Sequence, residues 1–223
     1  MRPWDESCSV ASSALAETSE RPMTRIGILA FQGDFREHAL AVERLGAESR
    51  LVRLPRDLEG VDALILPGGE STVMGKLMTA YDVVEPIRTL LAQGIPAWGT
   101  CAGMILLSRE TDNALAGQPL LASINMRTQR NAFGAQRESF ETTLDIPAIG
   151  PKPYHAVFIR GPVVEWVGAG VEVLARIDAP EPNIVAVRQN LLLATAFHPE
   201  VTEDLRFHEY FLGMVQSAQA AAR

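Results

Sequence analysis

The residue best suited to covalent chemistry is Cys101, in the run Gly99-Thr100-Cys101-Ala102-Gly103. The apolar run 95–99 leads into it and the helical pattern AGMILLSRE follows it, which predicts a strand-to-helix turn at the cysteine. Such a turn lifts a side chain above the carboxyl edge of a parallel sheet, where open α/β folds bind their ligands. Small residues at 99 and 103 suit a tight turn with a helix packed close to its strand. The start of the helix favours negative charge, hence the thiolate, and the Ala102 N–H is placed to donate to an oxyanion. The plain alternative is a buried structural cysteine. With 17 glycines in 223 residues, glycine at both positions is roughly a 1% coincidence for two cysteines, which favours the nucleophile.

A nucleophilic thiol needs a base, and the four histidines differ in setting. His38 and His208 fall in the apolar stripes of expected helices and read as core or interface residues. His155 follows Pro153-Tyr154 and reads as a loop residue. His198 ends the apolar run 191–197 and precedes Pro199-Glu200. Proline keeps the residue before it out of the helical region, and in extended chain residues i and i+2 point to the same side. Glu200 is then placed to accept a hydrogen bond from one imidazole nitrogen while the other nitrogen faces the thiol, the nucleophile–base–orienter logic of a triad. Taken alone, His-Pro-Glu serves equally well as a helix start; beside Cys101 the triad reading is preferred. A third run, Pro67-Gly68-Gly69-Glu70-Ser71, also follows a strand and opens a helix. Its paired glycines let backbone N–H groups approach a ligand, as the second half of an oxyanion hole would require. The Gly-Lys-Ser/Thr ending of a phosphate loop is missing, and without the other two motifs a plain turn would explain it.

These residues need elements to hold them. Apolar runs at 25–31, 49–54, 61–66 and 95–99 read as strands. Helical patterns at 34–45, after 70–72, at 82–93 and after 101 lie between or after them, with Asp34 as a helix N-cap and Gly46 as a helix stop. Alternation of strand and helix predicts an α/β fold, a three-layer, doubly wound, mostly parallel, flavodoxin-like sheet. Residues from about 120 to 197 change character: short strands at 139–144, 156–160, 171–177, 184–188 and 191–197 are separated by Gly/Pro turns, an added antiparallel section of the same domain. A last helix is expected at 203–216.

The composition excludes several classes. A net charge of −7 with no basic stripe argues against a nucleic-acid surface. No apolar run approaches a membrane span. Two cysteines, Cys8 and Cys101, make no disulfide framework and suit a reducing, cytoplasmic setting. Residues 1–22 lack an apolar core, do not resemble a secretory signal, and read as a disordered extension, with Met23 as an alternative start and 23–223 as the working domain.

The three motifs, in this order on this fold, resemble the class I glutamine amidotransferases. Residues 26–34 (IGILAFQGD), 64–73 (LILPGGESTV), 99–104 (GTCAGM), 130–134 (RNAFG), 157–161 (VFIRG) and 197–204 (FHPEVTED) resemble one branch, the glutaminase subunits of pyridoxal 5′-phosphate synthases. The resemblance runs from about Thr24 to the C-terminal helix. It implies that Cys101 attacks the side-chain amide of L-glutamine, that His198 protonates the departing ammonia and then activates water, and that Glu200 orients His198. It further implies that Gly69, Glu70, Ser71, Arg130, Ile159 and Arg160 bind glutamine, an arginine suiting its carboxylate, and that Gly68, Gly69 and Ala102 furnish the oxyanion hole. No metal or other cofactor is implied. Ammonia would pass to a synthase subunit within a large hetero-oligomer, the free glutaminase being poorly active until that partner organises the oxyanion hole. Three alternatives stay open: a class I glutaminase serving another synthase, a cysteine hydrolase on the same fold, and a non-catalytic partner subunit.

Overall fold

A computed structural model of the chain describes residues 23–112, 114, 117–130, 132, 139–178 and 182–221. The expectation of a disordered extension at 1–22 lies outside the described residues, as do Cys8 and, in the 130–134 motif, residues 131, 133 and 134.

Five strands form a continuous parallel part of one sheet, which also holds a parallel pair at its far edge: β1 (Arg25–Leu29), β2 (Glu48–Val52), β3 (Ala63–Leu66), β4 (Ala97–Thr100) and β12 (Leu192–Thr195) make up the continuous part. They lie in the order β2-β1-β3-β4-β12, with each neighbouring pair parallel. Between β1 and β2 lies α1 (Phe35–Arg44), between β3 and β4 lie α2 (Ser71–Ala80) and α3 (Val84–Ala92), and α4 (Ala102–Leu107) follows β4. β3 and β4 are buried along their whole length, as strands covered on both faces must be. Trp98 and Gly99 show the two faces. The Trp98 ring meets His38 of α1 and Phe207, His208 and Phe211 of α5 (Arg206–Ala221). Gly99, pointing the other way, lies under the backbone of α4 at Gly103. Helices on both faces of a central sheet make the three-layer, doubly wound α/β fold expected from the alternation.

Beyond β12 the same sheet continues through β11 (Asn183–Gln189), β9 (Val163–Val167), β6 (Ile124–Gln129) and β5 (Ser108–Thr111), while β10 (Glu172–Ile177) also pairs with β11. The pairs β12–β11, β11–β10, β11–β9 and β9–β6 are antiparallel. A separate two-stranded sheet joins β7 (Ser139–Leu144) to β8 (Tyr154–Ile159). The antiparallel section is therefore mostly an extension of the main sheet. Three differences from the sequence reading stand out. The helix after Cys101 stops at Leu107, because Ser108 turns extended and its chain pairs with β6. Strands β6 and β9, which the sequence reading did not single out, complete the sheet. His155 sits in β8, with its Nε2 2.9 Å from Glu141 of β7, where a loop was expected.

Candidate active site

Cys101 stands between β4 and α4 with φ 47° and ψ −103°. A non-glycine residue with positive φ stores strain of about 1–3 kcal/mol and persists only where its surroundings over-determine it. Here they do. The Cys101 N–H donates to Thr195 of β12 at 2.8 Å, and its carbonyl accepts from Ile105 at 3.3 Å. α4 lies so close to the sheet that a Cβ on Gly103 would fall 1.8 Å from the Leu66 carbonyl oxygen, and one on Gly99 would fall 2.4 Å from the Gly103 backbone. Those two glycines make the sharp elbow possible. The thiol is largely buried and lies 4.0 Å from the Ile159 carbonyl oxygen, to which it donates.

His198 follows the end of β12 and is anchored by its own N–H, which donates to the Val157 carbonyl at 2.9 Å. Its Nδ1 lies 2.7 Å from Glu200 Oε1 and 3.3 Å from Asp34 Oδ2. The expected histidine–carboxylate contact is present, but its geometry differs from the expected one. Residues Pro199–Val201 form a 3-10 turn, not extended chain, so Glu200 reaches Nδ1 by curling back. Nε2 is buried and makes no hydrogen bond of ordinary geometry with a described residue; the Cys101 side chain is the further group that acts on the ring. Burial opposes a charge on His198, but Asp34, Cys101 and Glu200 together outweigh it and push the imidazole up to about 12. Burial outweighs the other effects on Glu200 and leaves its carboxyl above the ordinary range, although the hydrogen bond and charge of His198 pull it down. We read the pair as imidazolium and carboxylate, because a 2.7 Å contact stabilises both charges at once. Asp34, His198 and Glu200 also place three metal-capable atoms within 4.8 Å of one another. The engagement of Nδ1 by Glu200 favours an acid–base arrangement over a metal centre.

The glycine loop closes over this histidine. A Cβ on Gly68 would fall 2.4 Å from His198 Cε1, so only glycine lets the loop pass the ring. Gly69 follows with φ 148°, and the Glu70 N–H donates to Gln32 Oε1 at 2.9 Å. Glu70 caps α2 by accepting from Thr72, and its Oε1 also lies 2.7 Å from Arg130. Two expected glutamine contacts, Glu70 and Arg130, are thus paired with each other. Ser71 is buried, and its hydroxyl lies 3.3 Å from Gln118 Nε2, beneath the loop. Ile159 and Arg160 lie at the end of β8, both exposed, with Arg160 at φ 46°. The Ala102 N–H opens α4 beside the thiol, among the helix donors that have no intrahelical acceptor.

Several neighbours of the site were not singled out from the sequence. Asp34 was expected to cap α1, but its side chain makes no cap hydrogen bond and faces His198 instead. His38 and His208 were expected as core residues. They are fully buried, yet His38 Nδ1 lies 3.0 Å from His208 Nε2, and His38 Nε2 lies 3.2 Å from Thr100 Oγ1 and 3.4 Å from Glu200 Oε2. The signal was present only as the polar character of two residues in apolar helix stripes.

Comparison with known proteins places this geometry in context. The model of the SNO glutamine amidotransferase family matches residues 28–217. A pyridoxal 5′-phosphate synthase subunit PdxT from Clavibacter sepedonicus is 49% identical over 209 residues, covering 94% of this chain and 98% of the relative. One of the same description from Herpetosiphon aurantiacus is 53% identical over 190 residues, covering 85% of this chain and 99% of the relative. A crystal structure of a glutamine amidotransferase superposes with a TM-score of 0.79 at 47% identity, over 86% of this chain and 98% of that one.

Proposed function

Because the chain belongs to the SNO glutamine amidotransferase family, we propose that it hydrolyses L-glutamine to L-glutamate and ammonia through Cys101, His198 and Glu200, and delivers the ammonia to the synthase subunit of a pyridoxal 5′-phosphate synthase. The observation that carries the mechanism is the elbow cysteine beside a histidine held by a buried carboxylate at 2.7 Å. Cys101 gives its thiol proton to His198, and the thiolate attacks the side-chain amide carbon of glutamine. The developing oxyanion is met by the Ala102 N–H and by the Gly68–Gly69 loop. His198, held protonated, gives its proton to the amide nitrogen as the C–N bond breaks. Ammonia leaves and a glutamyl thioester remains. The now neutral imidazole takes a proton from water, the hydroxide attacks the thioester carbon, and the C–S bond breaks to release glutamate.

Gly69, Glu70, Ser71, Arg130, Ile159 and Arg160 form the glutamine site in this reading. Glu70 and Arg130 suit the two ends of an amino-acid zwitterion, the carboxylate facing the ammonium and the guanidinium facing the carboxylate. The Ile159 carbonyl near the thiol is placed to receive an amide N–H of the substrate. Ser71 supports the loop from below through Gln118.

The relatives described as pyridoxal 5′-phosphate synthase subunits support the choice of partner; in this reading the working form is a large hetero-oligomer. No helix among the described residues is long and apolar enough to cross a membrane, and the charge of −7 speaks against nucleic acid. The free Cys101 thiol suits a reducing cytoplasm. The test is glutamine hydrolysis measured with and without a pyridoxal 5′-phosphate synthase subunit. Stimulation is expected; a partner that neither binds nor stimulates hydrolysis refutes the assignment of that synthase.

A further inference from the structure

Behind Glu200 lies a buried polar chain that the reaction steps above do not use. Glu200 presents Oε1 to His198, while its buried Oε2 has no hydrogen-bond partner among the described residues and lies 3.4 Å from His38 Nε2, an ion-pair contact. The same His38 Nε2 lies 3.2 Å from the hydroxyl of Thr100, the residue before the nucleophile. On the other side of the ring, His38 Nδ1 meets His208 Nε2 of α5 at 3.0 Å. His38, Thr100 and His208 are all at most 1% exposed, and the Glu200 side chain is fully buried. Four polar side chains from α1, β4, the 3-10 turn and α5 therefore meet away from water.

One arrangement of the protons in this chain suits an ionised Glu200. With a carboxylate oxygen at 3.4 Å and the Thr100 hydroxyl oxygen at 3.2 Å, His38 Nε2 carries the hydrogen, donating it to Thr100 and facing Glu200 with it. His38 Nδ1 is then an acceptor, and His208 Nε2 must donate to it. That leaves a lone pair on His208 Nδ1, an atom that is buried and has no partner among the described residues. The reverse polarity, with the Thr100 hydroxyl donating to His38 Nε2, would turn a ring lone pair toward the carboxylate and leave a buried N–H donor on His208 without a partner among the described residues. Burial, followed by the charges of His208 and His198, holds His38 well below its ordinary range, and burial lowers His208 to about 4, so both rings are neutral links in the chain.

We propose that His38, backed by His208, is a positioning residue for the hydrolytic reaction: its Nε2–H, hydrogen-bonded to Thr100, faces the second oxygen of Glu200 and favours the ionised carboxylate aimed at His198. The proposal rests on the role given to Glu200 above. Glu200 Oε2 is buried with no hydrogen-bond partner among the described residues, so the Nε2–H facing it at 3.4 Å is a favourable contact it can ill lose; without it the carboxylate would be driven further toward the neutral form. The shared Thr100 hydroxyl ties the same imidazole to the strand end that carries Cys101. Among the described residues, the charged and titratable groups around the chain are His198, Asp34 and Tyr154 on the Glu200 side and His208 on the far side of His38.

The test compares His38→Leu with His38→Gln, whose side-chain amide can place an N–H near the position of Nε2. Both are measured in the presence of the synthase subunit. His38→Leu should lower kcat by roughly 10–100-fold, as loss of an orienting partner does elsewhere, with KM for glutamine within about twofold of wild type, since uniform substrate binding is untouched. The acid limb of its kcat–pH profile should move to higher pH, because Glu200 becomes harder to ionise. His38→Gln should recover most of the rate and the wild-type limb. A His38→Leu enzyme with wild-type kcat and an unmoved acid limb overturns the proposal. So do equal losses in both variants with no shift of the limb, which is what a purely structural role gives. If His38→Leu does not fold, His208→Leu against His208→Gln is read in the same way, through the donor to His38 Nδ1. Cys101→Ala and Glu200→Gln separate the two levels of failure: they stay inactive if only the relay is wrong, and they turn over glutamine if the triad itself is wrong.

Discussion

Gly68→Ala isolates the fit between the glycine loop and the proposed base. A methyl group there would fall 2.4 Å from His198 Cε1 and 2.9 Å from Nδ1, where ordinary contact begins at 3.4 Å. The loop or the ring must therefore give way by about 1 Å, the scale of misplacement that costs about 10²-fold in rate. The ring has little freedom to yield. Its Nδ1 is held by Glu200 at 2.7 Å and its backbone N–H by Val157 at 2.9 Å. The loop is tied at Glu70 to Gln32 at 2.9 Å. Turnover of glutamine, measured with the synthase subunit and beside a thermal unfolding curve, should fall by about 10²-fold, about 2.7 kcal/mol in activation free energy, while the fold persists. Gly213→Ala is the control, because a Cβ on that α5 glycine meets nothing within 4 Å; it should leave activity intact and stabilise the helix by roughly 0.5–1 kcal/mol. A Gly68→Ala enzyme within twofold of wild type would show that His198 is not confined by this loop, and the account of a ring held for proton transfer would fall.

Two further predictions concern charge. Asp34→Asn removes the second carboxylate from His198 Nδ1; since Asp34 is partly exposed, the loss should be modest, about two- to fivefold in kcat/KM, with the alkaline limb of the pH–rate profile moving to lower pH, and an unmoved limb would refute a role for Asp34 in holding the imidazolium. The buried histidines predict acid lability. His208 binds its proton at about 4 when folded against 6.5 ordinarily, so the unfolded chain takes up the proton first, and stability present above pH 6.5 is lost as pH falls, by about 3 kcal/mol on reaching pH 4. Denaturant unfolding at stepped pH should show this loss reduced in His208→Gln; an identical slope in both proteins would refute it. His198 has the opposite sign: its contribution is full below 6.5 and fades as pH rises toward about 12.

How much of this was legible in the sequence depended on range. The elbow was readable because Gly99, Cys101 and Gly103 sit within five residues and each answers a local steric demand. His198 and Glu200 were readable as neighbours in sequence, although the 3-10 turn that joins them was not. The parallel strands were visible as short apolar runs, whereas the end of α4 was not, because Ser108 leaves the helix for a pairing with β6 that no local preference dictates. Asp34 has the residue type of a helix cap, and nothing nearby signals that its carboxylate turns to a histidine 164 positions away. His38 and His208 were the hardest. A histidine in an apolar stripe looks the same whether it fills space or carries a hydrogen-bonded chain, and their partners lie 170 positions apart.

The most direct test of the central claim is the covalent intermediate itself. Enzyme turning over glutamine with its synthase subunit, quenched in acid and analysed by peptide mass spectrometry, should carry a glutamyl group on the peptide containing Cys101, and none in Cys101→Ala. Full turnover with no adduct at Cys101, or ammonia release by Cys101→Ala at the wild-type rate, would contradict it.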